Sequence, residues 1–231
     1  MKEKYIKASE IISMMEESGK EQMEREHPSN DELLDNNIAL MVNRIDLKVL
    51  KPIKDDAIIT SLTWPCPSEK ATFYRNNSLK IAGKYVAFSC SQWSLVNYKT
   101  RRIMKVKEVD FSNYTFKRYY ETFPNKKFSI SNDDIEKMDD VGEKHIGPND
   151  LDDNGHMNNV KYAEMFEDLI PELVNGTHYV SALRLHFQKE AVYNEDLIIK
   201  RLHTEDAKYL FQSFKQNGEK NVECLIEITP L

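Results

Sequence analysis

The sequence predicts an α+β fold in which one long helix is wrapped by an antiparallel sheet, and in which that arrangement occurs twice. Three observations carry this. Apolar residues alternate with polar ones in a series of runs separated by short polar turns, the pattern of antiparallel strands with one buried face. In each half of the chain these runs come in fours, behind a helix-like segment. And Asp55-Asp56-Ala57-Ile58-Ile59 in the first half matches Glu195-Asp196-Leu197-Ile198-Ile199 in the second, a short likeness that gains weight because the element order repeats with it.

The elements follow in order. Ala8 to Gln22 places Ile11, Ile12, Met14 and Met15 on one side, which predicts an amphipathic helix with Ser9 as its N-cap. His27 to Asn37 is polar and holds Pro28, Asn30 and Asp31, which predicts a loop. Four strands are expected at Ala39–Leu50, Ala57–Trp64, Ala71–Ile81 and Tyr85–Val96, with a turn at Ala82-Gly83-Lys84. Phe111 to Asp140 is rich in charge, Asn and Ser, contains Pro124, and reads as a linker. A second helix is expected over Asn158–Leu173, with Val160, Ala163, Met165, Phe166, Leu169 and Ile170 on its apolar side. Strands at Tyr179–Lys189, Leu197–His203, Tyr209–Phe214 and Val222–Ile228 complete it, the last two joined through Asn217-Gly218, a strong hairpin signal. A helix wrapped by a sheet, twice, is a tandem hotdog arrangement, with domains at residues 1–122 and 126–231.

The composition narrows the function classes. In 231 residues, 40% are hydrophobic and 30% charged, as in a globular protein with a real core. No apolar run is long enough to span a bilayer, and the first residues lack the apolar centre of a signal peptide, so a cytoplasmic location is the default expectation. A net charge of −6 disfavours non-specific nucleic-acid binding. Cys66, Cys90 and Cys224 are scattered without a CxxC pair, and at least two of them sit in strand-like runs, which reads as packing rather than disulfide or zinc chemistry. Lys99 to Lys107 is the densest basic run; it is either a solvated face or a docking patch for an acidic partner.

The most unusual stretch is Asn149 to Asn159, which collects carboxylates, a histidine and several amides just ahead of the second helix. Asp152, Asn154 and His156 are spaced by two, so an extended backbone would point them the same way. Capping explains part of such a cluster. A calcium loop fits it poorly: Asp150, Asp152, Asn154 and Gly155 occupy the right positions, but the bidentate Glu expected at the twelfth is Lys161.

Asp150 to Tyr162, with its Asp-x-Asn-x-His followed by Asn-Asn-Val-Lys-Tyr, closely resembles the signature of the plant and bacterial acyl-acyl carrier protein thioesterases. Trp93 to Arg102 looks like that family's end of the first sheet, and Leu183 to Ala191 is similar to the strand carrying its catalytic glutamate. The resemblance covers nearly the whole chain in order. It implies Asp152, Asn154, His156 and Glu190 as active-site residues. Asn158 and Asn159 are read as substrate-binding, as are Trp64 and Trp93 in an acyl tunnel, and Arg101, Arg102 and Lys105 toward the carrier. Met14, Met15, Phe73 and Phe88 are further tunnel candidates, with plain core packing as the alternative. Glu190 closes an apolar alternating run, where a carboxylate would face a hydrophobic tunnel.

Two departures from the family matter. The position after its glutamate is often a cysteine, but here it is Ala191, and a methyl group cannot attack a thioester. Only Met1 to Lys7 precedes the first helix, so either the first sheet lacks the strand that usually opens the first hotdog or the chain is given from a late start. In the repeat overlay Glu190 falls on Leu50, so one active site per chain is expected, in the second half, with the first half shaping the tunnel. The activity implied is hydrolysis of acyl-acyl carrier protein to free fatty acid, through an acyl-phosphopantetheine thioester. Water activated by Glu190 or His156 would attack, or Glu190 itself. Asp152 would orient His156, Asn154 would hold water or carbonyl, and backbone N–H groups at the start of the second helix would receive the oxyanion. No metal or organic cofactor is required, and the chain is read as a monomer or homodimer. An acyl-CoA thioesterase of the same fold is the neighbouring reading, and a non-catalytic acyl-binding module the reading from another class.

Overall fold

A computed structural model of the chain describes residues 4–124, 127–204 and 207–231. The expected domain limits at residues 1 and 126 lie outside the described residues.

The first half begins with α1 (Ala8–Glu24), a helix whose buried side carries Ile11, Ile12 and Met15 at the spacing of one helix face. Ser9 is not its N-cap. Lys7 holds that position, and the first N–H groups of the helix, those of Ala8 and Ser9, donate to the buried carboxylate of Glu167 at 2.8 and 3.0 Å. The cap therefore comes from the other half of the chain. The expected loop after α1 contains a short helix, α2 (Asn30–Asp35), capped by Ser29 with Glu32 reaching back to its N–H.

Four long strands follow: β1 (Ile38–Val49), β2 (Thr60–Glu69), β3 (Thr72–Ile81) and β4 (Lys84–Asn97). The strand expected from Ala57 starts at Thr60 instead, and Ile58 lies 89% exposed ahead of it. The overlay of Asp55–Ile59 on Glu195–Ile199 thus pairs a loop with a strand, although the order of elements does repeat. A three-residue strand, β5 (Arg102–Met104), folds back on the end of β4.

The second half opens with α3 (Asn132–Glu136) and β6 (Asp139–His145), both inside or beside the expected linker. It continues through α4 (Asn159–Glu167) and α5 (Pro171–Val174) to β7 (His178–Phe187), β8 (Asp196–Thr204), β9 (Lys208–Lys215) and β10 (Lys220–Pro230). The single helix expected over Asn158–Leu173 is two, because Pro171 has no N–H to continue the ladder and sits instead at the first position of α5.

All the strands form one antiparallel sheet in the order β2-β3-β4-β1-β7-β10-β9-β8-β6, with β5 on β4. The two halves meet where β1 pairs with β7, and the order reads outward alike on both sides. At that seam Asp46 lies opposite Arg184 and accepts its guanidinium at 2.8 and 3.0 Å. α1 and α4 pack together on one face, over a core that includes Leu47, Tyr162, Phe166, Leu185 and Phe211. The other face is strapped by the segment between the halves. Asn76 exchanges hydrogen bonds with the backbone of Tyr120, Arg44 donates to the carbonyl of Phe128, and the Arg184 guanidinium lies over the Phe123 ring. The expected linker is thus packed chain, polar because it meets a polar sheet face. Ahead of α1, Tyr5 makes a β-bridge to Lys54, a minimal counterpart of β6.

Candidate active site

Gly147 to Asn158 joins β6 to α4, where the first half needs only Ile6 and Lys7 between bridge and helix. This connection is held at both ends. Buried Asp150 accepts from Lys144 Nζ at 2.7 Å and from the Gly147 N–H at 2.9 Å, while its carbonyl accepts from the Asn158 N–H. Burial pushes the Asp150 carboxyl up, but Lys144 and the Gly147 N–H outweigh it and hold the group below the usual carboxylate range. Leu151 bridges to Met157, and Gly155 turns the chain between them at a φ of +78°, a conformation that favours glycine.

The stretch is therefore a tight turn rather than an extended run. Asp152 reaches His156 through the main chain: its Oδ1 accepts from the N–H groups of Asn154 and His156 at 2.9 and 3.1 Å. A second clamp fixes His156 from the side, where its backbone bridges to Val192 and the Met157 N–H donates to the Ala191 carbonyl. Ala191 is fully buried at that contact. The arrangement brings His156 Nε2 to 3.3 Å from Glu190 Oε2.

Glu190 lies just past the end of β7. The Asn221 side chain on β10 donates to the Lys189 carbonyl, and the Asn221 carbonyl receives the N–H groups of Gln188 and Lys189. The Glu190 side chain is 49% exposed, so it does not face an apolar tunnel; it stands at the mouth of an open cleft. That cleft, of about 410 Å³, is lined by Asp152, Asn154, His156 and Glu190 together with Asn159 and Tyr162. Asn158 instead caps α4, accepting from the Val160 N–H, and its carbonyl takes the Lys161 N–H. Two of the helix-start donors expected for an oxyanion are thereby engaged.

A second cavity, of about 450 Å³, lies against the first half. Leu40, Trp93 and Asn154 line both spaces, so the two adjoin. Met15 and Phe73 also line the second cavity. Trp64 stands apart, edge-on to Tyr120 with its Nε1 donating to the Arg118 carbonyl, and Phe88 packs on Tyr85. Glu16 is the residue that sequence reading missed. It lines the second cavity, accepts from Asn159 Nδ2 at 3.2 Å, and its carboxyl is pushed up to about 7, chiefly by burial. The only sequence signal was a charge on the inner side of an amphipathic helix.

Arg101, Arg102 and Lys105 lie on the exposed hairpin of β4 and β5. Ile103, between them, lines the cleft that holds His156 and Glu190. Arg102 is committed to Glu108 at 2.6 Å. The three cysteines are buried and form no disulfide among the described residues, and burial drives the thiols of Cys66 and Cys224 up, Cys66 to about 11. Among the described residues no helix is long and apolar enough to cross a membrane.

Residues 2–114 match the acyl-ACP thioesterase N-terminal domain, and residues 136–229 match the acyl-ACP thioesterase C-terminal domain. A palmitoyl-acyl carrier protein thioesterase, chloroplastic, from Gossypium hirsutum is 27% identical over 75% of this chain and 43% of its own length. An oleoyl-acyl carrier protein thioesterase, chloroplastic, from Arabidopsis thaliana is 25% identical over 70% of this chain and 46% of its own. The matches thus span less than half the length of these curated relatives. The solved structure of the 12:0-ACP thioesterase from Umbellularia californica superposes with a TM-score of 0.84 at 17% identity, covering 98% of this chain and 91% of that one. That likeness shows the shared tandem hotdog fold.

Proposed function

The chain belongs to the acyl-ACP thioesterase family, and on that premise we propose that it hydrolyses acyl-acyl carrier protein to a free fatty acid and the thiol form of the carrier. The observation that carries this reading is the convergence of Asp152, Asn154, His156 and Glu190 on one cleft, with His156 Nε2 3.3 Å from Glu190 Oε2. In this mechanism Glu190 takes a proton from water as the oxygen adds to the thioester carbonyl. The proton passes from Glu190 to His156 across their 3.3 Å contact, and as the C–S bond breaks His156 delivers it to the departing sulfur. Asp152 holds the turn that presents His156. The Asn154 side chain, which lines both cavities, stabilises the developing oxyanion. The catalytic half is residues 126–231, and the half at residues 1–122 supplies the cavity for the acyl chain. The basic hairpin beside the cleft receives the acidic carrier. A cytoplasmic location belongs to this proposal.

The experiment is a panel of acyl carrier protein thioesters of graded chain length set against the matching CoA thioesters. Faster turnover of the carrier-protein series is expected at every productive length. A preference for the CoA series would transfer the reading to an acyl-CoA thioesterase, and absence of turnover on both would leave an acyl-binding protein.

A further inference from the structure

The strand pairing shifts register by one residue at a matching place in each half. In the first half the shift falls between the pairs Leu79–Ala87 and Lys80–Tyr85, at Val86 on β4. In the second it falls between the pairs Phe214–Lys220 and Gln212–Glu223, at Asn221 on β10. The two places correspond. Leu50, just past β1, donates its N–H to the Val86 carbonyl, and Gln188, just past β7, donates its N–H to the Asn221 carbonyl. Val86 and Asn221 are both fully buried. The fold therefore accepts an apolar side chain at this bulge. A buried amide in the same place is costly unless its polar atoms are paired.

Asn221 meets that demand, and it does so on the chain that carries Glu190. Its Oδ1 accepts from Ser213 Oγ at 2.9 Å, and the same Oγ accepts from the Val222 N–H at 3.1 Å. Its Nδ2 donates to the Lys189 carbonyl at 2.6 Å and to the Tyr162 hydroxyl at 3.2 Å. The Asn221 carbonyl receives the Lys189 N–H at 3.1 Å, so this one residue grips Lys189 at both its N–H and its C=O. The Lys189 carbonyl lies in the rigid peptide plane that leads into Glu190. On the far side the Ala191 carbonyl is fixed by the Met157 N–H at 2.8 Å. Glu190 thus stands between two held peptides, and they set the direction of its Cα–Cβ bond. Bulges beside active sites re-aim side chains in this way.

We propose that Asn221 is a positioning residue for Glu190: by clamping Lys189 it aims the Glu190 carboxylate at His156 Nε2, 3.3 Å away. Asn221 does not line the cleft, so it acts through Glu190 and not on the substrate. The inference deepens the thioesterase reading and rests on it for the role of Glu190.

Asn221→Val gives the second half the side chain that the first half carries at the matching place, so the variant should fold. It should lower kcat at least about tenfold, the scale of a small misplacement of a reacting group, with KM for the acyl carrier protein thioester nearly unchanged. In a Glu190→Ala background the same substitution should lower kcat no further, because the group it positions is gone. An equal fold loss in both backgrounds, or no loss in the first, overturns the proposal. Asn221→Ala, which adds no bulk, takes the place of the valine variant in this cycle if that variant does not fold. A second arm needs no turnover. The ring nitrogen NMR signals of His156 are recorded at one pH in the unaltered protein, in the Asn221 variant and in Glu190→Ala. In the Asn221 variant they should move toward their positions in Glu190→Ala. If they do so while Glu190→Ala keeps full turnover, the catalytic reading of Glu190 fails and the positioning stands. Unchanged His156 signals overturn the positioning itself.

Discussion

At the scale of single residues, His156 and Glu190 bear the chemistry proposed for the cleft. His156→Ala and Glu190→Ala should each lower turnover at least about a hundredfold, the usual cost of losing a positioned acid or base. Both side chains are a third to a half exposed, so folding should be nearly unaffected, and thermal unfolding checks that. A folded variant turning over at the wild-type rate removes its residue from the site. Glu16 gives a prediction of another kind. Its carboxyl lies near 7 in the folded protein against 4.5 for the ordinary group, raised by burial and by Asp152 although Asn159 pulls it down. Between those values the folded chain holds a proton that the unfolded chain has lost. The stability it contributes is therefore present below about pH 4.5 and disappears as the pH rises through 7. Glu16→Gln should flatten this decline, by roughly 2–3 kcal/mol between pH 4.5 and 8, as read from urea unfolding at stepped pH. An unchanged slope would show that Glu16 does not titrate in this window. The contrast between these residues shows what the sequence makes legible. Asp152, Asn154 and His156 stand out because their spacing and company are unusual, whereas Glu16 stands beside Glu17, a pattern common to any solvated helix, and only the packing of α1 against α4 turns it inward.

At the scale of elements, the long strands and α1 are legible because alternation and helical spacing reflect a buried face directly. β6 is not. Asp139 to His145 carries Val141 as its one aliphatic side chain, and as the outermost strand it buries little. It is held by backbone pairing to β8, which leaves no mark on side-chain pattern. The start of α1 departs from its sequence expectation for a related reason: a serine in the right place suits the capping role, yet the acceptor is a glutamate about 160 residues away. Glu167 binds the N–H groups of Ala8 and Ser9 inside the core, joining α4 of one half to α1 of the other. Glu167→Ala leaves those donors buried and unpaired, and should cost about 2–4 kcal/mol in chemical denaturation. Glu167→Gln keeps one acceptor oxygen and should recover part of it. A loss below about 0.5 kcal/mol for the alanine variant would mean that water replaces the carboxylate.

At the scale of the whole molecule, the two halves share one sheet and differ in what connects their elements. The link from Tyr5 to α1 is too short to hold a turn like that from Gly147 to Asn158, so the first half has no counterpart of the turn that presents Asp152, Asn154 and His156. How a protein-bound substrate reaches that cleft depends on charge. The chain carries a net −6, and an acidic carrier would be repelled at long range, so productive docking needs a local basic surface. The hairpin of β4 and β5 supplies one. Lys99, Arg101, Lys105 and Lys107 are exposed on it, while Ile103 reaches the wall of the cleft. Arg102 is the wrong residue to reverse, because a glutamate there would confront Glu108 and disturb the hairpin itself. Lys99→Glu with Lys107→Glu should instead raise the apparent KM for carrier-protein substrates with kcat little changed. Added salt should imitate the effect in the unaltered protein, since exposed charges are screened over about 8–10 Å. A small thioester without the carrier should be hydrolysed at the same rate by both proteins. Equal loss on both substrates would place the defect in the cleft and take the docking role away from this hairpin.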